Sequence, residues 1–287
     1  MAKGISVHVG LNRVDPAHYE PLPDELGACE QDAKDMQSIA QACGFQTALL
    51  LNEHASSAAV LGALNQAAST LEAGDFLFLT YSGHGSQIKD TNGDEEYDGL
   101  DETWCLYDRM LVDDELYAVW GNLQPGARVL MLSDSCHSGS MSKMYRDMGL
   151  SSFLSSSRPM LESAGVGTDS PTAYRGLTPD VARCTYERNK DEYIRIQTQT
   201  GVVDRSAIGA RVILISGCQD NQTSGDGPVN GVFTGRLLAV WNSGKYRQGY
   251  RTFHKEVRRR MPPTQSPNYY CVGVPNPDFE GSQVLSI

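Results

Sequence analysis

The fold is decided by FLFLTYSGHGS at positions 76–86 and by RVLMLSDSCHSGS at positions 128–140 of this 287-residue chain. In each stretch, a run of large apolar side chains stops at a short turn rich in Gly and Ser. Such runs are typical of strands that are buried on both faces of a mostly parallel sheet. Similar runs at 4–11, 45–51 and 211–216 predict three further strands of the same sheet.

Helical stretches separate these strands, at about residues 27–43, 56–73, 113–121 and 230–243. The alternation of strands with helices predicts an α/β fold, in which helices cover both faces of a mostly parallel central sheet. We expect one domain over residues 1–287.

Two segments interrupt the alternation. Residues 85–103 are polar, acidic and punctuated by glycine, which predicts a loop. Residues 140–207 are rich in Ser, Gly and Thr, and we expect a flexible insertion or linker there, with a short strand at 193–199. An unstructured stretch of this length is unusual inside a compact domain unless it has a function.

The composition excludes several classes of protein. A net charge of −11 leaves little basic surface for nucleic acid. No run of about 18 apolar residues is present, so no membrane span is expected. The N-terminal MAKGISVHVG has no leader-like apolar stretch, which favours a cytoplasmic location. Seven cysteines without a CxxC pair indicate free thiols rather than a disulfide framework or a Cys-rich zinc site.

Two reactive side chains follow directly on the buried strands. His84 comes after one strand and Cys136 after another. Because ligands of open parallel sheets bind beyond the carboxyl ends of the strands, the thiol and the imidazole are expected on one rim. This pair is what nucleophilic catalysis needs. The backbone N–H groups of Gly85 and of the residues after Cys136 are candidates for an oxyanion hole. Taken alone, either side chain is more often structural.

Four motifs, in order, resemble those of metacaspases and orthocaspases. YSGHGS and DSCHSG are similar to the family's catalytic His and Cys motifs, 26–36 (LGACEQDAKDM) to its first strand-to-helix motif, and 216–227 (SGCQDNQTSGDG) to a late motif. His84 and Cys136 are 52 positions apart, near the caspase-type spacing of about 50. The resemblance implies a caspase-like three-layer sandwich, and cleavage of polypeptides after Arg or Lys by Cys136 and His84.

The resemblance also implies an acidic pocket for the basic side chain of the substrate. The matching positions are Asp32 and Asp134, with Cys29 and Ser82 beside them and Asp220 as a further candidate. Buried carboxylates pair with guanidinium or ammonium groups. We expect Arg to be preferred, because only a guanidinium binds a carboxylate through two parallel hydrogen bonds.

Calcium is the one ion that the resemblance suggests, as an activator, while no cofactor is needed for the chemistry. The corresponding ligands are Asp98, Asp113 and Asp114, and the fourth position holds Lys143, which would repel a cation. The alternative is a solvated acidic surface.

Self-cleavage is a further hypothesis, since four basic residues lie in or beside the insertion. They are Lys143, Arg146, Arg158 and Arg175. Otherwise these are ordinary surface cations. Three rival functions remain open: a catalytically silent interaction module, a cysteine hydrolase of small amides or esters, and a peptidase that an activating or inhibitory protein partner controls.

Overall fold

A six-stranded sheet forms the centre of the computed structural model, which describes residues 2–93, 99–136, 173–218, 224–273 and 275–287. Its strands are β1 (Gly4–Gly10), β2 (Gln46–Leu51), β3 (Phe76–Ser82), β7 (Arg128–Asp134), β9 (Arg211–Ser216) and β11 (Asn268–Val272), in the order β11-β9-β7-β3-β1-β2. All neighbours are parallel except β11, which runs antiparallel to β9. The five predicted strands are confirmed.

Helices cover both faces of this sheet. They are α1 (Cys29–Ala42), α2 (Ser57–Thr70), α3 (Asp113–Asn122), α6 (Val232–Trp241), α7 (Tyr250–Arg260) and α8 (Pro277–Gly281), while α4 (Pro179–Arg188) and α5 (Lys190–Thr200) pack elsewhere. One core packs α2 and α3 against side chains such as Leu77 and Leu79. The other packs α1, α6 and α7 against Phe76 and Phe78. Successive residues of β3 therefore serve opposite cores, and the predicted three-layer sandwich is confirmed.

The stretch 85–103 is not simply the predicted loop. It holds β4 (Gly85–Lys89) and β5 (Leu100–Cys105), which form a small antiparallel sheet with β6 (Met110–Val112). This small sheet is narrow and leaves part of the stretch exposed to solvent: Ile88 is buried, while Lys89 is exposed. The exposure explains the polar composition. The small sheet starts at the rim of the large one, directly after His84.

The short strand expected at 193–199 is wrong, because this stretch is part of α5. The buried residues Tyr193 and Gln197 are four positions apart and lie on one face of the helix. α4 and α5 are thus folded parts of the insertion, and Val181 and Tyr193 belong to a third apolar core that they share with the small sheet.

No helix among the described residues is both long enough and apolar enough to cross a membrane.

Candidate active site

The two catalytic candidates leave neighbouring strands at the same height. Ser82 and Asp134 are register partners at the ends of β3 and β7, and His84 and Cys136 lie two residues beyond them. The expectation that both emerge on one rim is confirmed. Gly85 packs against the Cys136 backbone so closely that any side chain at this position would overlap the Cys136 carbonyl.

The cleft at this rim contains a segment of the same chain. The carbonyl oxygen of Arg175 accepts hydrogen bonds from the N–H groups of Gly85 (3.0 Å) and Cys136 (2.9 Å). The N–H of Arg175 donates to the carbonyl of Ser224 at 3.0 Å, and that of Leu177 donates to the carbonyl of Gly85 at 3.0 Å. Just before Arg175, β8 (Ala173–Tyr174) pairs antiparallel with β10 (Gly225–Asp226). A peptide added to a strand edge is held in the same way.

The side chain of Arg175 is completely buried in a pocket below the cleft. Its Nη2 lies 2.8 Å from an oxygen of Asp32 and 2.8 Å from one of Asp226, and its Nη1 lies 3.0 Å from Asp134. Nη1 also donates to the Ser82 hydroxyl at 2.7 Å. The pocket therefore surrounds the guanidinium with three carboxylates.

The rest of the fold holds these carboxylates in place. Asp134 accepts from both the N–H and the hydroxyl of Thr234, at 3.1 and 2.7 Å. Asp32 accepts from the N–H of Gly231 at 3.1 Å and from the side chain of Asn230 at 3.0 Å. Burial raises the pKa of Asp32 to about 6, although the Arg175 charge acts in the opposite direction. Helix α1 supplies Asp32, and β7 supplies Asp134.

The pocket includes two residues that sequence reasoning missed, Asp226 and Gly231. The predicted pocket residues Asp32, Asp134 and Ser82 all contact Arg175. Asp226 belongs to the late motif, and the Asp-Gly turn of SGCQDNQTSGDG was the signal that could have identified it. Asp220, the candidate named from that motif, lies outside the described residues. Gly231 faces the guanidinium: a Cβ there would lie 2.5 Å from three of its atoms.

Cys29, also predicted for this pocket, is fully buried. Burial raises the pKa of its thiol to about 12, so that it contributes a neutral wall.

The thiol and the imidazole lie in the closed cleft without a mutual hydrogen bond. Within the described residues, Cys136 Sγ accepts from the N–H of Ser224 instead. His84 Nε2 lies 2.8 Å from the carbonyl oxygen of Asp24. Because a carbonyl only accepts, Nε2 carries the proton and Nδ1 keeps a free electron pair. Nδ1 is buried without a hydrogen-bond partner in the described part of the chain, and burial lowers the pKa of His84, which favours the neutral base.

A model of the caspase domain matches residues 14–277. The chain belongs to the caspase domain family. Metacaspase-1 of Kluyveromyces lactis is 29% identical, over 92% of this chain and 64% of that protein. Metacaspase-1 of Schizosaccharomyces pombe is 31% identical, over 80% and 56%. This chain thus spans less than two thirds of the length of these curated relatives.

Two solved structures resemble this caspase-domain chain. The protein GSU0716 of Geobacter sulfurreducens is 45% identical, with a TM-score of 0.85 and coverage of 99% of both chains. Caspase-1 of Spodoptera frugiperda is 12% identical, with a TM-score of 0.56 and coverage of 95% of this chain and 90% of that one. The second match shows the shared fold alone.

A carboxylate cluster lies near the start of α3 in this caspase-domain chain. One oxygen from each of Asp101, Asp113 and Asp114 lies within 4.8 Å of the others. Burial, followed by the neighbouring charges of Glu102, Asp101 and Asp114, raises the pKa of Asp113 well above its usual range. The Oδ1 atom of Asp113 is buried without a hydrogen-bond partner in the described part of the chain. Clustered oxygen donors with such an orphaned atom fit a Ca²⁺ ion.

Several predicted positions lie outside the described residues. They are Asp98, Lys143, Arg146, Arg158 and Asp220. Asp113 and Asp114 do come together, and the structure adds Asp101 to them. Of the four candidate self-cleavage residues only Arg175 is described, and it is not a surface cation.

Proposed function

We propose that this protein is a cysteine endopeptidase that cleaves polypeptides after Arg, and less well after Lys, and that its own Arg175–Gly176 bond is the first that it cuts. The observation that carries the proposal is the position of Arg175, whose carbonyl and side chain occupy the places that a substrate residue would take. Family membership and the metacaspase relatives support the peptidase activity. The proposed substrates are proteins or peptides with a basic residue before the cut.

The proposed mechanism gives each group of the cleft one role. His84 Nδ1 takes the proton of the Cys136 thiol, and Sγ attacks the carbonyl carbon of the basic residue. The N–H groups of Gly85 and Cys136 stabilise the oxyanion that forms. His84 then donates the proton to the leaving amine, and water releases the acyl group from Cys136.

The preference for Arg follows from the distribution of the three carboxylates. Asp226 receives hydrogen bonds from both Nε (3.3 Å) and Nη2 (2.8 Å) of Arg175. Asp32 accepts from Nη2, and Asp134 pairs with Nη1. A lysine has one terminal nitrogen and no donor at the Nε position, so it cannot make this set of contacts.

Rates on peptides that differ only in the residue before the cut test the substrate preference. We expect Arg to exceed Lys, and Asp or Gln to give no turnover. Hydrolysis of small amides or esters without dependence on Arg or Lys would contradict the proposal, as would a complete absence of turnover both before and after limited proteolysis.

Denaturing gels with N-terminal sequencing test self-cleavage. Wild-type protein should yield a fragment that starts at Gly176, and Cys136→Ala should stay intact. Arg175→Gln should abolish that fragment. Equal intactness of the wild type and Cys136→Ala would contradict cleavage at this bond.

The proposed calcium site consists of Asp101, Asp113 and Asp114. When bound, the ion would neutralise the mutual repulsion of the carboxylates and stabilise the junction of β5 and α3. It would take no part in the bond cleavage itself, which Cys136 and His84 perform.

A further inference from the structure

We infer that the site also forms peptide bonds: the acyl group of Arg175, once transferred to Cys136, is passed back to the amine of Gly176, and the chain is resealed. The inference rests on the proposed function, because resealing requires the same acyl-enzyme. Its basis is that the cleft holds both sides of the Arg175–Gly176 bond: the acyl side, which ends at Arg175, and the leaving side, which begins at Gly176. A peptidase normally releases the leaving side after the cut.

The leaving side is held first by its own backbone and by one side chain. Gly176 forms a parallel bridge with Gly85, and the N–H of Leu177 donates to the carbonyl of Gly85 at 3.0 Å. The Leu177 side chain is fully buried in the third apolar core, together with Tyr19 and Ile88. None of these contacts depends on an intact Arg175–Gly176 bond.

The helices that follow hold the leaving side a second time. α4 begins with the Thr178 cap, directly after Leu177. In α5, the Tyr193 hydroxyl lies 2.7 Å from Nε2 of His18 and accepts from the N–H of Met110. The Gln197 side chain donates to the carbonyl of Lys89 at 2.9 Å. Cleavage after Arg175 would therefore leave the new amine of Gly176 fixed in place.

The acyl side is held equally firmly, while water has little access. Arg175 keeps its three carboxylate partners when its carbonyl carbon moves from nitrogen to sulfur. Cys136 is 0% exposed and His84 is 4% exposed, so that the thioester forms in a closed site. A reactant fixed beside its partner has an effective concentration that reaches roughly 10⁵ M or more in well-oriented systems, far above that of water at about 55 M. Excluding water protects such intermediates from hydrolysis.

The reaction balances without a further reactant. In the forward direction the Sγ–carbon bond forms, the carbon–nitrogen bond to Gly176 breaks, and the thiol proton passes through His84 to the amine. In the reverse direction the amine of Gly176 attacks the thioester carbon, the carbon–sulfur bond breaks, and His84 returns the proton to Cys136. If water has already hydrolysed the thioester, the ammonium group of Gly176 gives one proton to the carboxylate of Arg175. The resulting carboxyl group condenses with the Cys136 thiol and releases one water molecule, and the amine of Gly176, now neutral, attacks the thioester.

The test approaches the equilibrium between nicked and intact chain from both sides. Freshly purified intact chain and self-nicked chain, whose fragments stay associated on gel filtration, are incubated separately in water enriched in oxygen-18. We expect the same ratio of nicked to intact chain from either start. A glutamate-specific protease then releases a peptide that spans residues 175 and 176. In resealed chains this peptide should gain the heavy isotope gradually, because each hydrolysis of the thioester adds one solvent oxygen to the Arg175 carboxylate and each re-formation of the thioester removes one of its two oxygens. Nicked protein alkylated at Cys136 should not reseal.

Substitutions of two leucines distinguish a loss of resealing from a general loss of stability. Leu177→Ala should loosen the retained amine and raise the final nicked-to-intact ratio by about tenfold or more, and Leu177→Met should restore it. Leu64→Ala is the matched control, because Leu64 is equally buried but belongs to a different apolar core. Equal shifts from the two alanine variants would overturn the inference.

Failure of resealing and failure of the proposed function give different results. Nicked wild type that hydrolyses an Arg peptide but never regains intact chain overturns resealing alone. A chain that hydrolyses Arg peptides and is never nicked at Gly176 overturns both self-cleavage and resealing. A chain without any Arg-dependent turnover overturns the proposed peptidase.

Discussion

Gly231 offers the sharpest test of the pocket, since it is the point at which a methyl group would meet the guanidinium. Its backbone angles, φ −56° and ψ 153°, are ordinary for alanine, so Gly231→Ala introduces no backbone strain. A Cβ at this position would lie 2.5 Å from Cζ, Nη1 and Nη2 of Arg175. The substitution therefore acts by steric exclusion of the forked group.

The magnitude follows from the contacts that a displaced guanidinium gives up. A hydrogen bond to a charged group contributes about 1.5–3 kcal/mol, and loss of one or two such bonds costs roughly 2–5 kcal/mol. Since each 1.4 kcal/mol is a factor of about ten, kcat/KM on an Arg peptide should fall by about 30- to 3,000-fold. The single terminal nitrogen of a Lys substrate occupies less of this space, so kcat/KM on a Lys peptide should fall less. The ratio of kcat/KM for Arg to kcat/KM for Lys should therefore decrease.

The assay compares peptides that are identical except for Arg or Lys before the cut. Wild type, Gly231→Ala and Gly235→Ala are measured in parallel. Gly235 lies one turn further along α6, and a Cβ there would meet only the Cβ of Asn230, at 3.8 Å. The control should keep the wild-type ratio. An unchanged Arg-to-Lys ratio in Gly231→Ala would refute the proposal that substrate arginine binds as Arg175 does.

Four other predictions concern the same site and the carboxylate cluster. Asp226→Asn should lower kcat/KM on Arg peptides about 10- to 100-fold and on Lys peptides less; equal losses would contradict the Nε contact. Gly85→Ala keeps the N–H, but its Cβ would overlap the Cys136 carbonyl and displace this oxyanion donor, so kcat should fall by about 100-fold or more, whereas Gly62→Ala, which has open space around it, should leave kcat unchanged; similar kcat values would contradict this role. Because the pKa of Asp32 is raised to about 6, its charge disappears as the pH falls through 6, and KM for an Arg peptide should rise there; a constant KM would contradict the proposed role of this carboxylate. Calcium should raise the Tm of the wild type but not of Asp113→Asn; equal shifts would place the ion elsewhere.

The large sheet and the placement of His84 and Cys136 on one rim could be predicted because their signal is local. The apolar runs of β3 and β7 each stop at a glycine-containing turn, and parallel neighbours must end on the same rim. The residues Ser82 and Asp134 became register partners, as that expectation requires. The place of Asp32 in the pocket could be predicted only from the resemblance of its motif to that of the family.

The wrong strand at 193–199 shows the limit of short patterns. Ile194 and Ile196 alternate with polar residues and suggest a strand, since β-branched side chains favour one. The structure instead buries Tyr193 and Gln197, one helical turn apart, against the small sheet and its hydrogen-bonding groups. Tertiary contacts, which the local pattern does not contain, decided the outcome.

The return of Arg175 to the cleft could not be predicted either. The sequence places this residue 39 positions after Cys136, in a Ser-rich stretch with several other basic residues. Its partners Asp32 and Asp226 come from opposite ends of the chain. Only the folded chain brings the three together, and no spacing rule covers such a contact.

The filled pocket changes what an inhibitor measurement would mean. A reagent that carries an arginine and alkylates the thiol competes with a tethered ligand, whose local concentration does not change on dilution. At high dose its rate of labelling is then set by the opening of the 173–177 segment, not by its own affinity. Titration of active sites with such a reagent over a short time would count only molecules in which this segment is open. A preparation that reacts poorly would therefore not have to be misfolded.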